Sequence, residues 1–242
     1  MFERTEVLNL YLIFFNKMNE LIDQLLIIHI AAGFISLVTG LISILSLKGG
    51  KIHKKSGKIY FYSMTIVFVT AIIIANYRFN RFLFLIAFLS YYSVFAGVRK
   101  LRLKNLHKNQ KPKWYDWTAG IINGIANLFF IGLGIYYSIE NGFFSGGALL
   151  SVGFGIGGLL ISYVNLKPFI IKPNKSYHWY LSHIGNMFGG YIATSTAFLS
   201  TLISKYEIMN PFLGFALPSI IGVPLLIYWM NKTEKSFKTK HN

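Results

Sequence analysis

The chain has 242 residues, 54% of them hydrophobic and only 13% charged, with a mean hydropathy of +0.50. Soluble domains carry about 25% charged residues, so this composition excludes disorder and low-complexity or collagen-like chains and points to an integral membrane protein. No cysteine is present, which removes disulfide frameworks, thiolate metal sites, iron–sulfur clusters and thiol redox chemistry.

In chain order the first segment is atypical. Leu8–Phe15 is apolar but too short to cross a bilayer. Glu3 and Glu6 and the lack of a small-residue cleavage site make it a poor signal peptide. Residues 1–20 therefore read as an interfacial helix or as an extension upstream of Met18. Beyond it, seven charge-free stretches follow: 24–47, 59–77, 82–98, 117–139, 141–166, 176–204 and 208–231. At about 1.5 Å rise per residue, roughly 17–25 residues span the hydrocarbon core, so each stretch holds one helix. A β-barrel would alternate apolar and polar residues, and runs such as Leu25-Leu26-Ile27-Ile28 do not. The expected fold is all-α and polytopic: a seven-helix transmembrane domain over residues 21–231, followed by a basic tail at 232–242.

The net charge of +16 is segregated. The connections Lys48–Lys58, Arg99–Asp116 and Lys167–Lys175, with the C-terminal tail, hold 19 basic residues against 2 acids. The alternate connections and the N-terminus hold 5 against 6. Every second connection is basic, so the positive-inside rule predicts an outer N-terminus and a cytoplasmic C-terminus. Trp114, Trp117, Trp179 and Trp229 fall at the expected cytoplasmic helix ends, where amphipathic rings prefer the headgroup region. The charge thus reads as topology and contact with anionic lipid, not as a nucleic-acid footprint.

Small residues mark close helix contacts in lipid. Gly120 and Gly124 lie four apart on the fourth stretch, Gly153 and Gly157 on the fifth, and Gly185 and Gly189 on the sixth. These spacings predict that the fourth, fifth and sixth helices pack on one another. The run around Gly153–Gly158 is not a dinucleotide fingerprint, because no strand precedes it. Pro211 suits a first turn, while Pro218 and Pro224 predict kinks. Asn123, Asn127 and Asn186 are polar positions within spans, where interhelical hydrogen bonding is the ordinary use.

Six histidines remain as carriers of chemistry. His107 and His241 lie in a basic loop and the tail and read as solvated. His29 lies in the first span, His53 in the first basic loop, and His178 and His183 near the start of the sixth span. Imidazole holds haem iron, zinc and copper in helical bundles. His29 and His53 are too far apart along the chain to share an ion, whereas His53, His178 and His183 sit at compatible depth. The sharp expectation is that His183 faces the interior and that His53 or His178 approaches it. No zinc-hydrolase motif and no nucleophile–base pair is present.

His29-Ile30-Ala31-Ala32-Gly33, then Gly40, then His53-Lys54-Lys55-Ser56-Gly57 resembles the opening signature of the domain-of-unknown-function 2306 family of bacterial membrane proteins. His183-Ile184-Gly185-Asn186-Met187, with Gly190-Tyr191 and Thr196-Ala197-Phe198, is similar to that family's later signature. The resemblance covers about residues 25–205. It implies a multi-helix inner-membrane protein, implies no activity, and makes His29, His53 and His183 motif positions. Three functions compete. One is a non-catalytic subunit or assembly factor with a membrane-protein partner. Another is a redox protein with haem b or a transition metal on its histidines. The third is a small-solute or lipid transporter.

Overall fold

The computed structural model describes residues 2–78 and 80–239. They form seven α-helices: α1 (Phe2–Leu45), α2 (Lys51–Tyr77), α3 (Arg81–Lys100), α4 (Trp114–Asn141), α5 (Gly146–Ile170), α6 (His178–Tyr206) and α7 (Pro211–Thr239). A single 3-10 turn, Leu106–Lys108, interrupts the α3–α4 loop. Among the described residues, six helices are long and apolar enough to cross a membrane. The other is α6, whose polar Ser, Thr, Asn and His residues dilute its hydropathy although it carries no charge between Ser176 and Ser204. His241 lies outside the described residues.

Residues 2–20 continue without a break into the first span, so α1 is 44 residues, or about 66 Å, long. Pro211 opens α7, and Pro218 and Pro224 both lie inside that helix. At the α1–α2 corner Gly49 adopts φ +78°, a conformation that L side chains rarely take.

The helices pair in a definite pattern. α1 packs on α2, α4 on α5, and α6 on both α7 and α3. α3 also meets α2, α4 and α5, and its span is the most buried of the six. The core is built around it: Val94 of α3 packs with Tyr60 and Met64 of α2, backed by Met187 and Tyr191 of α6. Gly190 lets α6 approach α3, because a side chain there would strike Val94. The expectation that α6 joins α4 and α5 through glycine faces is therefore corrected. Its extensive neighbours are α3 and α7.

The glycine expectation also needs correction in register. On α5, Gly153 and Gly157 face open space, while Gly155 and Gly158 press against Ile131 and Asn127 of α4. Two residues turn about 200° around a helix, so the Gly153–Gly157 and Gly155–Gly158 faces point apart. Spacing alone offered both. On α4, a side chain at Gly120 would strike Leu166 and Tyr92, and one at Gly124 would make ordinary contact with Ser162. On α6, a side chain at Gly185 would make ordinary contact with Met230 of α7, and Gly189 faces open space.

The α4–α5 seam yields a direct test. Gly158→Ala should lower the thermal unfolding midpoint in detergent, because the added methyl collides with the Asn127 amide at a cost of about 1–3 kcal/mol. Gly157→Ala should leave the midpoint unchanged. Equal midpoints for the two variants would place the seam elsewhere.

Candidate functional site

The chemistry-bearing side chains gather at the end of the bundle that carries the basic loops. The short α1–α2 corner folds the first turn of α2 under the last turn of α1. There the Nδ1–H of His53 donates to the Ser43 carbonyl at 3.0 Å. The Lys48 ammonium donates to the same carbonyl at 3.1 Å and to the Ile44 carbonyl. These two side chains satisfy carbonyls that the end of α1 would leave without partners. Partial burial holds the Lys48 amine below its ordinary pKa.

His183 reaches the same region from α6. Its Nδ1–H donates to the Gly97 carbonyl of α3 at 2.8 Å. Gly97 is a close-approach position: a side chain there would strike Met187 and Asn186. The imidazoles of His53 and His183 stand with ring centres 6.4 Å apart and planes at 78°. In each ring the carbonyl can only accept, so Nδ1 carries the proton and Nε2 presents its lone pair. Neither Nε2 has a hydrogen-bond partner among the described residues.

The other histidines separate. His178 pairs with His107 at 5.8 Å between ring centres, so His107 is a half-buried partner and not a solvated loop residue. The Nε2 of His178 is buried with no partner among the described residues. His29 binds Thr70 of α2 through Nδ1 at 2.9 Å. Thr70 gives its own proton to the Ile66 carbonyl, so its oxygen accepts from His29. His29 is thus an α1–α2 link. It lies fourteen residues before Ser43, about 21 Å along the helix.

An amide network fixes the helices that carry these rings. Asn165 of α5 and Asn186 of α6 exchange two hydrogen bonds, of 2.7 and 2.9 Å. Lys100 at the end of α3 is fully buried and donates to the Asn165 carbonyl at 3.2 Å. Its ammonium also lies 5.0 Å from the Phe169 ring centre. Beside it Arg99 grips Asp116 with two hydrogen bonds of 2.6 and 2.9 Å. Asp116 accepts the Lys113 N–H as well, closing the first turn of α4. Asn123 donates to Ser162 at 2.8 Å and to the Gly158 carbonyl, and Asn127 donates to the Asn123 carbonyl at 2.7 Å.

Asn165, Lys100 and the Arg99–Asp116 pair were not singled out from sequence. Their signal was weak but present. Arg99, Lys100 and Asp116 flank the shortest charge-free stretch and its neighbour, where a helix end must bury its basic residues or lift them to the headgroups.

Two imidazoles on opposite sides of one ion, with metal–nitrogen bonds of about 2.0–2.1 Å, place their ring centres about 6 Å apart. The separation of the His53 and His183 ring centres fits that arrangement. Nδ1–H bonded to a carbonyl is the usual outer support of a metal-binding histidine. Among the described residues no group of three or more His, Asp or Glu converges, so an ion here would take two protein nitrogens and complete its shell from elsewhere. The chain matches no family model, no curated protein and no solved structure.

Proposed function

We propose that the protein is a multi-pass membrane protein carrying a transition-metal centre at its basic end, held by His53 and His183. The metal is haem b iron or a single soft ion. The observation that carries this reading is the close pair of imidazoles, 6.4 Å apart, each held through Nδ1 by a backbone carbonyl. Such a centre, when bound, supplies one-electron redox chemistry. The protein's part is to orient the rings through the Ser43 and Gly97 carbonyls and to set the local charge. The Lys48 ammonium stands within electrostatic reach of His183. A bare divalent ion would add charge beside it. Iron inside a dianionic porphyrin, or a monovalent soft ion, adds less. The rich supply of lysines around His53 also suits acidic substituents on a macrocycle.

The subunit or assembly-factor reading rests on the apolar outer faces of α1 and α7, the least buried of the spans. Lipid covers such faces equally well, so they do not favour it over the metal reading. The transporter reading rests on Pro218 and Pro224. Both lie in α7, which carries neither histidine of the pair. We also read the chain as a distant member of the domain-of-unknown-function 2306 family, since the two adjacent histidines belong to its two motif blocks.

The segregated charge supports a bacterial inner-membrane location, with α6 as a seventh span, the N-terminus outside and the basic end in the cytoplasm against anionic lipid.

Two experiments follow from this reading. Protein purified from cells supplied with haem and trace metals should show haem absorption or a bound transition metal. His53→Ala and His183→Ala should each cut that content about tenfold or more. His29→Ala and His178→Ala should keep it. Wild-type protein without haem and without transition metal would contradict the reading. For topology, a reporter active only in the cytoplasm should work when fused after residue 107 and stay silent after residue 142. The reverse pattern would invert the assignment.

A further inference from the structure

At the end of the bundle opposite the basic loops, the tips of α3 to α7 surround a cavity of about 800 Å³ that is open on one side. Ligand sites run from about 300 to 1,000 Å³, so this space holds more than ordered water. Its lining divides by chemistry. Tyr137, Leu150 and Phe212 are among the residues that give apolar wall, and Asn80, Lys205 and Asn210 are polar, with the hydroxyls of Ser200, Thr201 and Ser204 between them in sequence.

Lys205 and the two amides face the space as donors, while the Ser200 and Thr201 hydroxyls give their protons to the Ala197 carbonyl. The Asn80 carbonyl oxygen accepts the Leu83 N–H at 3.0 Å, and the Asn210 carbonyl oxygen accepts the Phe212 N–H at 2.9 Å. With both oxygens turned onto helix starts, each amide keeps its NH₂ to give. Lys205 makes no ion pair among the described residues, and its ammonium lies 5.5 Å from the Tyr206 ring centre. No carboxylate lines the cavity among the described residues. A wall of aromatic and aliphatic surface with an ammonium and two amide donors matches an aliphatic chain ending in an anionic phosphate. A solute without a chain would leave the wall uncovered, and a chain without an anionic head would leave the donors unused.

We propose that this cavity seats one anionic phospholipid from the leaflet on that side of the membrane. Lys205, Asn80 and Asn210 hold its phosphate, and one acyl chain lies against Tyr137, Leu150 and Phe212. The site is independent of the histidine pair, which lies at the other end of the bundle.

Native mass spectrometry of the full chain, released from detergent after titration with phosphatidylglycerol or phosphatidylcholine, tests this. One phosphatidylglycerol should be retained in preference to phosphatidylcholine. Lys205→Gln should weaken phosphatidylglycerol retention about tenfold and leave phosphatidylcholine unchanged, the effect of losing one charge-assisted contact. Leu150→Trp, which fills the space, should abolish the preferred adduct. Equal retention of the two lipids by the wild type, or undiminished retention by Lys205→Gln, would overturn the proposal. Lys205 is exposed, so that variant folds and decides the matter even if Leu150→Trp does not.

Discussion

The reciprocal amide pair of Asn165 and Asn186 is the interaction on which the arrangement of the basic end depends. α6 has its broad contacts with α3 and α7, and this pair ties it to α5. Hydrogen bonds between helices in lipid contribute only about 0.6 kcal/mol on average, because the separated helices find other partners. Register is a different matter. Sliding α6 by one residue would leave two buried amides unpaired, at about 1–3 kcal/mol each. Asn186 is one turn from His183, so the amide pair that sets α6 against α5 also sets where His183 meets Gly97. Lys100 adds a third helix to the node through the Asn165 carbonyl.

Around that node the structure solves a second problem, the burial of charge at the end of a short helix. α3 ends with Lys100 buried inside the bundle and Arg99 half-buried beside it. Asp116 answers Arg99 in bidentate geometry, and a carbonyl and an aromatic face answer Lys100. Removing Arg99 would leave the buried Asp116 carboxylate uncompensated, whereas Arg99 itself still reaches water. The pair is therefore evidence for a specified geometry more than for stability. At the surface the bond between Lys175 and Glu234 is of another kind. The carboxylate beside it raises the Lys175 pKa, but both groups reach water and the pair contributes little.

Much of this architecture was legible in the sequence because membrane helices announce themselves by the absence of charge. Each of the seven charge-free stretches lies mainly on one helix. Yet α6 shows that missing charge and high hydropathy are separate properties: Asn186, Thr194 and Thr196 are uncharged, buried and polar. The glycine spacing told which helices hold small residues but not which face they use, since Gly153–Gly157 and Gly155–Gly158 satisfy nearly the same pattern. Depth along the helices was enough to bring His53 and His183 into one neighbourhood and to keep His29 out of it. It could not choose between His53 and His178, because that choice is made by helix rotation, and helix rotation is set by the side-chain network. Asn165 and Lys100 stayed hidden for the same reason. Each lies at a helix end where exposure is the ordinary outcome.

The central claim is that this network brings the His53 and His183 imidazoles together, 6.4 Å apart and edge-on. The chain has no native cysteine, so a His53→Cys, His183→Cys double variant can be probed in intact membranes without background. A thiol-specific cross-linker a few ångströms long should join the two positions within one chain. A pairing of position 183 with a cysteine at 178 or 29 should stay uncross-linked under the same conditions. Failure of the 53–183 pair to react, in protein that is folded and whose thiols are both accessible to a small monofunctional reagent, would contradict the account.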